Sequence, residues 1–285
     1  MPVRDAFVIV IGFVAWCLAA QSFAALYGTA GAAYASAAVV TVPKNEALYA
    51  ELPTPAPTQP PSGDSLRLPI LVYHIVRPSY PSDSAAVKAL AVTPETFRAE
   101  LSYLKTAGYT VIPFTRLDAY FHDGTPLPPK PIVISFDDGW SDQYAYAFPI
   151  LREFGYPVTF FVFTNAIGHK GFLTWSELKE MQAAGMSIES HSESHPYLSH
   201  MTATSTLRAE IAGSKRILEA HLGTPVTEFA YPFGMVDARI IRLVQAAGYA
   251  SARGDYSSTT QSKSRLYDLG GNNAPPTLQK FEQEY

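Results

Sequence analysis

The chain is 285 residues long, 47% hydrophobic and 13% aromatic, which is ample for a packed core and excludes wholesale disorder. Charged residues make up 16% and the formal net charge is −4, so the basic footprint of a nucleic-acid binder is absent. The one cysteine, Cys17, excludes an intramolecular disulfide framework and a Cys-based zinc site, leaving 7 histidines and the acidic residues as candidate metal ligands.

No charged residue occurs from Ala6 to Pro43. The apolar run Phe7 to Ala20 has the length of a signal-peptide core, and Ala6 to Tyr27 is just long enough to cross a bilayer of about 30 Å. Asp5 offsets Arg4, so the flanking charge says little about orientation. Ser22-Phe23-Ala24 and Ala35-Ser36-Ala37 are candidate cleavage sites, and Trp16 before Cys17 suits lipoprotein processing poorly. The position of the run, at the extreme terminus, argues for export or anchoring over a buried core helix. Residues 1–43 are therefore read as a signal peptide or membrane anchor, with the periplasm, cell envelope or extracellular space as destination. Glu51 to Asp64 (ELPTPAPTQPPSGD) is proline-rich and marks residues 44–65 as an extended linker. The folded domain is expected over residues 66–285.

Within it, short apolar strands alternate with helices. Pro69 to Tyr73 reads as a buried strand. Thr93 to Ala107 reads as a helix with Pro94 in its first turn, Phe97, Leu101 and Leu104 on one face, and Gly108 at its end. Pro131 to Phe136 and Pro157 to Phe163 are further strands. Thr174 and Glu177 form a capping-box pattern before a helix that stops at Gly185, and Met186 to Ser190 is again a strand. Leu207, Ile211, Ser214, Leu218 and Leu222 predict one long helix, Glu228 to Tyr231 a short strand, and Val236 to Ala247 a helix closed by Gly248. Continuous apolar strands between helices imply a parallel sheet, open or closed into a barrel, with chemistry at the carboxyl ends of the strands.

Three motifs fall at such ends. Ser135-Phe136-Asp137-Asp138-Gly139-Trp140 follows the strongest strand. Two adjacent carboxylates leaving a buried strand are costly unless paired or bound to a cation. A turn at Gly139 would bring both to one cavity, one to hold metal and the other to move a proton; a plain Asp-Gly turn with one capping Asp is the competing reading. His191-Ser192-Glu193-Ser194-His195 places two histidines four apart, as on one face of a helical turn. With one carboxylate they make a two-His, one-Asp set of the kind zinc or iron(II) accepts; surface or capping histidines are the alternative. Phe229-Ala230-Tyr231-Pro232-Phe233-Gly234 ends a strand in a turn able to present backbone N–H groups.

In this order the motifs resemble the polysaccharide deacetylase family, carbohydrate esterase family 4, over roughly Leu68 to Ala252. The resemblance implies an α/β fold, the family's irregular (β/α) barrel, and a metal-dependent hydrolase. It implies that Asp137 is the catalytic base, that Asp138, His191 and His195 ligate a divalent metal (zinc first; cobalt, nickel or iron(II) also acceptable), and that Tyr231 lends its backbone N–H to an oxyanion hole. Pro69 to Val76 (PILVYHIV) is a strand running into His74. This early Tyr-His looks like the branch acting on poly-N-acetylglucosamine, and after His221 no histidine follows. His74 is therefore expected to be the catalytic acid, with a core histidine as the alternative.

Many family members carry an arginine shortly before the proline of the third motif; Glu228, Phe229 and Ala230 stand there instead, leaving open what tunes Asp137. Trp175 is a candidate pocket wall, with simple packing an equal reading. The last stretch, beyond Asp268-Leu269-Gly270, reads as polar and irregular, without an added carbohydrate-binding domain. The expected substrate is an acetylated envelope or extracellular polysaccharide, with peptidoglycan, chitin oligomers or O-acetyl xylan as alternatives and a non-catalytic glycan-binding relative as the different class. The expected partners are that glycan, no nucleic acid, and a membrane if the leader stays uncut. No phosphate-cradling P-loop is present.

Overall fold

The computed structural model describes residues 65–254, 258–275 and 277–285. The expected leader and nearly all of the proline-rich linker lie outside the described residues. Among the described residues no helix is long and apolar enough to cross a membrane.

The strands are β1 (Ser65–Arg67), β2 (Ile70–Tyr73), β3 (Ile75–Val76), β4 (Ala91–Val92), β5 (Thr110–Val111), β6 (Pro131–Phe136), β7 (Thr159–Val162), β8 (Ser187–Ser190), β9 (Glu228–Ala230), β10 (Ser251–Arg253), β11 (Thr260–Ser262) and β12 (Asn272–Asn273). The main sheet runs β10-β9-β8-β7-β6-β2-β12, with β5 beside the start of β6, and its pairings are parallel. Parallel strands are covered on both faces, which is why these segments carry unbroken apolar runs. Alternation assigns the residues: Ile132, Ile134 and Phe136 of β6 join the larger core beneath the helices, while Val133 joins a second cluster on the opposite face. Phe160 and Val162 of β7 go with the first group and Phe161 with the second.

The helices are α1 (Ala85–Leu90), α2 (Pro94–Thr106), α3 (Phe114–Asp123), α4 (Phe148–Phe154), α5 (Trp175–Ala183), α6 (Thr204–Arg208), α7 (Ser214–Leu222), α8 (Ala238–Ala246) and α9 (Leu278–Glu284). Thr93 caps α2 by accepting the Thr96 N–H at 3.2 Å, and Phe97, Leu101 and Leu104 bury its inner face. The capping box of Thr174 and Glu177 at α5 is formed in both directions.

Two expectations are corrected. The single helix expected over Leu207 to Leu222 is broken: α6 and α7 flank a π-helical turn, Ala209–Gly213. Apolar spacing does not register one such wider turn, because the core-facing residues on both sides still fall on one face. A second π turn, Gln143–Ala147, leads into α4. The last stretch is also not irregular. It supplies β12 and α9, whose Phe281 is fully buried and meets the Tyr103 ring of α2 edge-on at 6.1 Å.

Candidate active site

The carboxyl ends of β2, β6, β8, β9 and β10 bring His74, Asp137, His191, Tyr231 and Arg253 to one side of the sheet. At the end of β6, Asp137 N–H still donates to the Tyr73 carbonyl at 2.9 Å. The chain then turns sharply, with Asp138 at φ 73° and Gly139 at φ 77°. A Cβ at Gly139 would lie 2.9 Å from Val162 Cγ1, so glycine is required there by contact as well as by backbone conformation. The turn lets consecutive carboxylates share a cavity instead of pointing to opposite faces.

Asp138 Oδ1 lies 3.3 Å from His195 Nε2 and 3.7 Å from His191 Nε2. The three side chains offer ligand atoms within 4.8 Å of one another. Asp138 Oδ2 accepts the Trp140 indole N–H at 2.9 Å, which leaves Oδ1 directed at the imidazoles. His191 Nδ1 lies 2.8 Å from the Ala230 carbonyl. Since a carbonyl only accepts, Nδ1 carries the proton and the Nε2 lone pair is presented to the cluster. Burial pushes the His191 imidazole down to about 4, so it stays neutral and able to ligate near pH 7. Burial alone would raise the Asp138 carboxyl, but His195, then His74 and His191, hold it well below the usual carboxylate range. One carboxylate oxygen and two imidazole nitrogens, converging on one point, fit a divalent ion with coordination positions to spare.

The His pair does not meet on a helical turn, as its spacing suggests. The segment after β8 is irregular and reverses through Ser192 at φ 71° and His195 at φ 57°. This brings the two rings to 4.7 Å, edge to face.

Asp137 is fully buried. Arg253 Nη2 donates to its Oδ1 at 2.5 Å, while its Oδ2 lies 3.9 Å from His74 Nε2 and 4.0 Å from His191 Nε2. Burial would raise this carboxyl, yet Arg253, then His191 and His74, keep it below its ordinary value and hence ionised. Arg253, from the neighbouring strand β10, is not among the residues that the motifs single out. Its only signal in the sequence is a basic residue in a short segment otherwise made of small residues. Gln143 was missed too. From the first π turn its Nε2 donates to the His74 carbonyl at 2.8 Å and the Asp137 carbonyl at 2.6 Å.

The expectation for Tyr231 is corrected. Its N–H donates to the Arg253 carbonyl at 3.0 Å as part of the β9–β10 pairing, and its hydroxyl donates to the Tyr267 carbonyl at 2.8 Å. The amide is therefore committed to the sheet. Pro232 has no N–H. The next donor is Phe233, held at φ 61°, whose ring lies 4.6 Å from that of His195. Trp175, the candidate pocket wall, stacks on His221 at 3.9 Å.

A helix-flanked parallel sheet with acids and imidazoles gathered at its strand ends defines an α/β protein with a candidate metal site. Residues 124–252 match the family model described as polysaccharide deacetylase. Among curated proteins the chain is 30% identical over 183 residues to YxkH of Bacillus subtilis (strain 168), which bears a polysaccharide deacetylase name; the match covers 64% of this chain and 62% of that protein. It is 26% identical over 229 residues to a poly-beta-1,6-N-acetyl-D-glucosamine N-deacetylase of Staphylococcus epidermidis, covering 73% of this chain and 77% of the relative. Among solved structures, the Streptococcus pyogenes deacetylase PplD in complex with acetate superposes with a TM-score of 0.69 at 25% identity, covering 74% of this chain and 93% of that one. IcaB from Ammonifex degensii shares the fold, with a TM-score of 0.67 at 24% identity over 78% of this chain and 96% of its own. Residues 124–252 thus carry a polysaccharide deacetylase domain match, and the fold is that of solved deacetylases.

Proposed function

We propose that the chain is a metal-dependent hydrolase that removes N-acetyl groups from an envelope or extracellular polysaccharide, with poly-N-acetylglucosamine the favoured substrate. One observation carries this reading: a fully buried Asp137 is held ionised by Arg253 beside, but not within, the Asp138–His191–His195 set. A site that only bound glycan would have no use for an ionised carboxylate next to a metal. The names of the Bacillus and Staphylococcus relatives support the reaction class, and the Staphylococcus name supports the substrate. The Tyr73-His74 segment after the first core strand is consistent with that branch.

An amide resists hydrolysis because water is a weak nucleophile and the amine a poor leaving group. A divalent ion, zinc by the donor set, would be held by Asp138, His191 and His195, and would lower the pKa of bound water from about 15.7 toward about 7 while polarising the acetyl carbonyl. Asp137 accepts the proton of the attacking water. The Phe233 N–H, in place of Tyr231, donates to the oxygen on which negative charge develops, a contact typically worth about 3–4 kcal/mol. His74, on the other side of Asp137, gives a proton to the departing sugar amine, a contribution on the order of 10²–10⁴ in rate. The products are acetate and a glucosamine unit that gains positive charge.

Acetate release from defined β-1,6-N-acetylglucosamine oligomers tests the proposal directly. Chelation is expected to abolish release and added zinc or cobalt to restore it. Undiminished release after thorough chelation would remove the metal from the mechanism, and no release from any N-acetylated glycan would remove the activity.

A further inference from the structure

Asp138 follows β6 in the tight turn at Gly139, and His191 directly follows β8 and is tied through Nδ1 to β9. His195 stands on no element. Its position depends on the peptide segment that joins it to His191, in which Ser192, like His195 itself, occupies the left-handed region. Side-chain-bearing residues stay in that region only where their surroundings hold them.

The grip on one side is made by backbone. Thr164 and Asn165 N–H groups donate to the carbonyls of Ser192 and Glu193 at 3.2 and 2.8 Å, and Ser192 Oγ accepts the His195 N–H at 2.9 Å. On the other side it is made by one side chain, Glu210. Its Oε2 accepts the N–H groups of Glu193 and Ser194 at 3.0 and 2.8 Å, and its Oε1 accepts the Ser194 hydroxyl at 2.5 Å. These are three donors from consecutive residues between the two histidines. Glu210 reaches them from the π turn Ala209–Gly213, where the wider winding turns consecutive residues inward together. Ile211 enters the core while Glu210 faces the loop. Such turns recur at functional positions.

We propose that Glu210 is a positioning residue for the divalent-ion site. Its carboxylate fixes the segment between the two histidines, so that His195 converges on Asp138 and His191 before the ion arrives. Only a side chain with acceptors on both arms matches three donors. A glutamine would turn an NH₂ group toward one of them. The inference rests on the reading of Asp138, His191 and His195 as metal ligands.

The test is Co²⁺ titration of the chelator-stripped full chain, followed by the visible absorption of the bound ion and by competition with a chromophoric chelator. Glu210→Gln is expected to weaken Co²⁺ binding about 10–100-fold, the usual effect of losing a partner that orients a ligand. Leu218→Ala, a core truncation one helix further on, serves as control: it should lower the thermal midpoint while leaving Co²⁺ affinity within about twofold of wild type, as for an independent site. A Glu210→Gln protein that binds Co²⁺ like wild type overturns the proposal, and so does an equal loss in Leu218→Ala. Should Glu210→Gln fail to fold, Ser194→Ala removes one of the three donors and decides in its place: weaker binding supports the assignment, unchanged binding overturns it. A wild-type chain that takes up no Co²⁺ would instead sink the metal reading itself, whereas normal wild-type uptake with an indifferent Glu210→Gln sinks only the role of Glu210.

Discussion

Asp137 and Arg253 meet 116 residues apart in the chain with both side chains closed off from solvent. A buried pair of this kind is not strong evidence of stabilisation, but breaking it by removing one partner typically costs about 3–5 kcal/mol, because a charge is left without compensation. Arg253→Met is therefore expected to unfold at markedly lower denaturant. In whatever fraction stays folded, burial of Asp137 would no longer be opposed by its nearest cation. The carboxyl would then titrate higher, and the acid limb of the kcat/KM profile should move up by about 1–3 pH units. Asp137→Asn keeps the shape and removes the proposed base. Its turnover should fall by about 10²-fold or more while Co²⁺ uptake persists, since Asp137 is outside the ligand set. Loss of the metal in that variant would show that the two neighbouring acids do not divide their tasks as described.

At the scale of elements, the two π turns do similar work on opposite flanks of the site. Glu210 acts on the histidine loop, and Gln143 joins the ends of β2 and β6 by donating to the carbonyls of His74 and Asp137. Gln143→Leu is roughly isosteric and strands two carbonyls, so equilibrium unfolding should report a loss of about 1–3 kcal/mol. A second device sits lower in the sheet, where Asp118 of α3 shares a hydrogen bond with Glu228 of β9. Burial, and then Glu228, push the Asp118 carboxyl up to about 8. The folded form thus keeps a proton that the unfolded form releases above about pH 4. More protons on the folded form means that stability falls as pH rises, here between about 4 and about 8. Asp118→Asn cannot ionise, so its thermal midpoints across that window should vary less with pH than those of wild type. An unchanged slope would show that the proton is not held there.

Across the whole molecule, what could be read in advance was what is local. The Asp pair and the His pair each lie within a few residues directly after an apolar strand, and residue type alone carries their chemistry. Arg253 was not legible, because its significance depends on β10 lying beside β9, and nothing in Ser251-Ala252-Arg253 marks a core strand. The engagement of the Tyr231 N–H by the Arg253 carbonyl, which leaves Phe233 as the proposed oxyanion donor, was not legible either. Backbone N–H groups are present at every non-proline position, and only the pairing of Tyr231 with Arg253 shows which one is taken. The π turns escaped because they preserve apolar spacing on either side. The ligand cluster also makes a prediction for the entire fold. An ion present at 100 times its dissociation constant adds about 2.7 kcal/mol, which for a domain of this size raises the midpoint of thermal unfolding by about 5–10 °C. Scanning calorimetry with zinc and with chelator checks this, and Asp138→Ala should abolish the difference.

The strand that delivers His74 has β6 on one flank and, on the other, β12, made by Asn272 and Asn273. During synthesis β2 emerges early, and its second neighbour follows about two hundred residues later. A ribosome-bound intermediate cannot finish this edge, however well its earlier parts have condensed. Until then the exposed rim of β2 is open to pairing with another nascent copy. Assembly of the acid side of the site is thus coupled to arrival of the carboxyl-terminal segment, and premature termination before Asn272 would leave an aggregation-prone product.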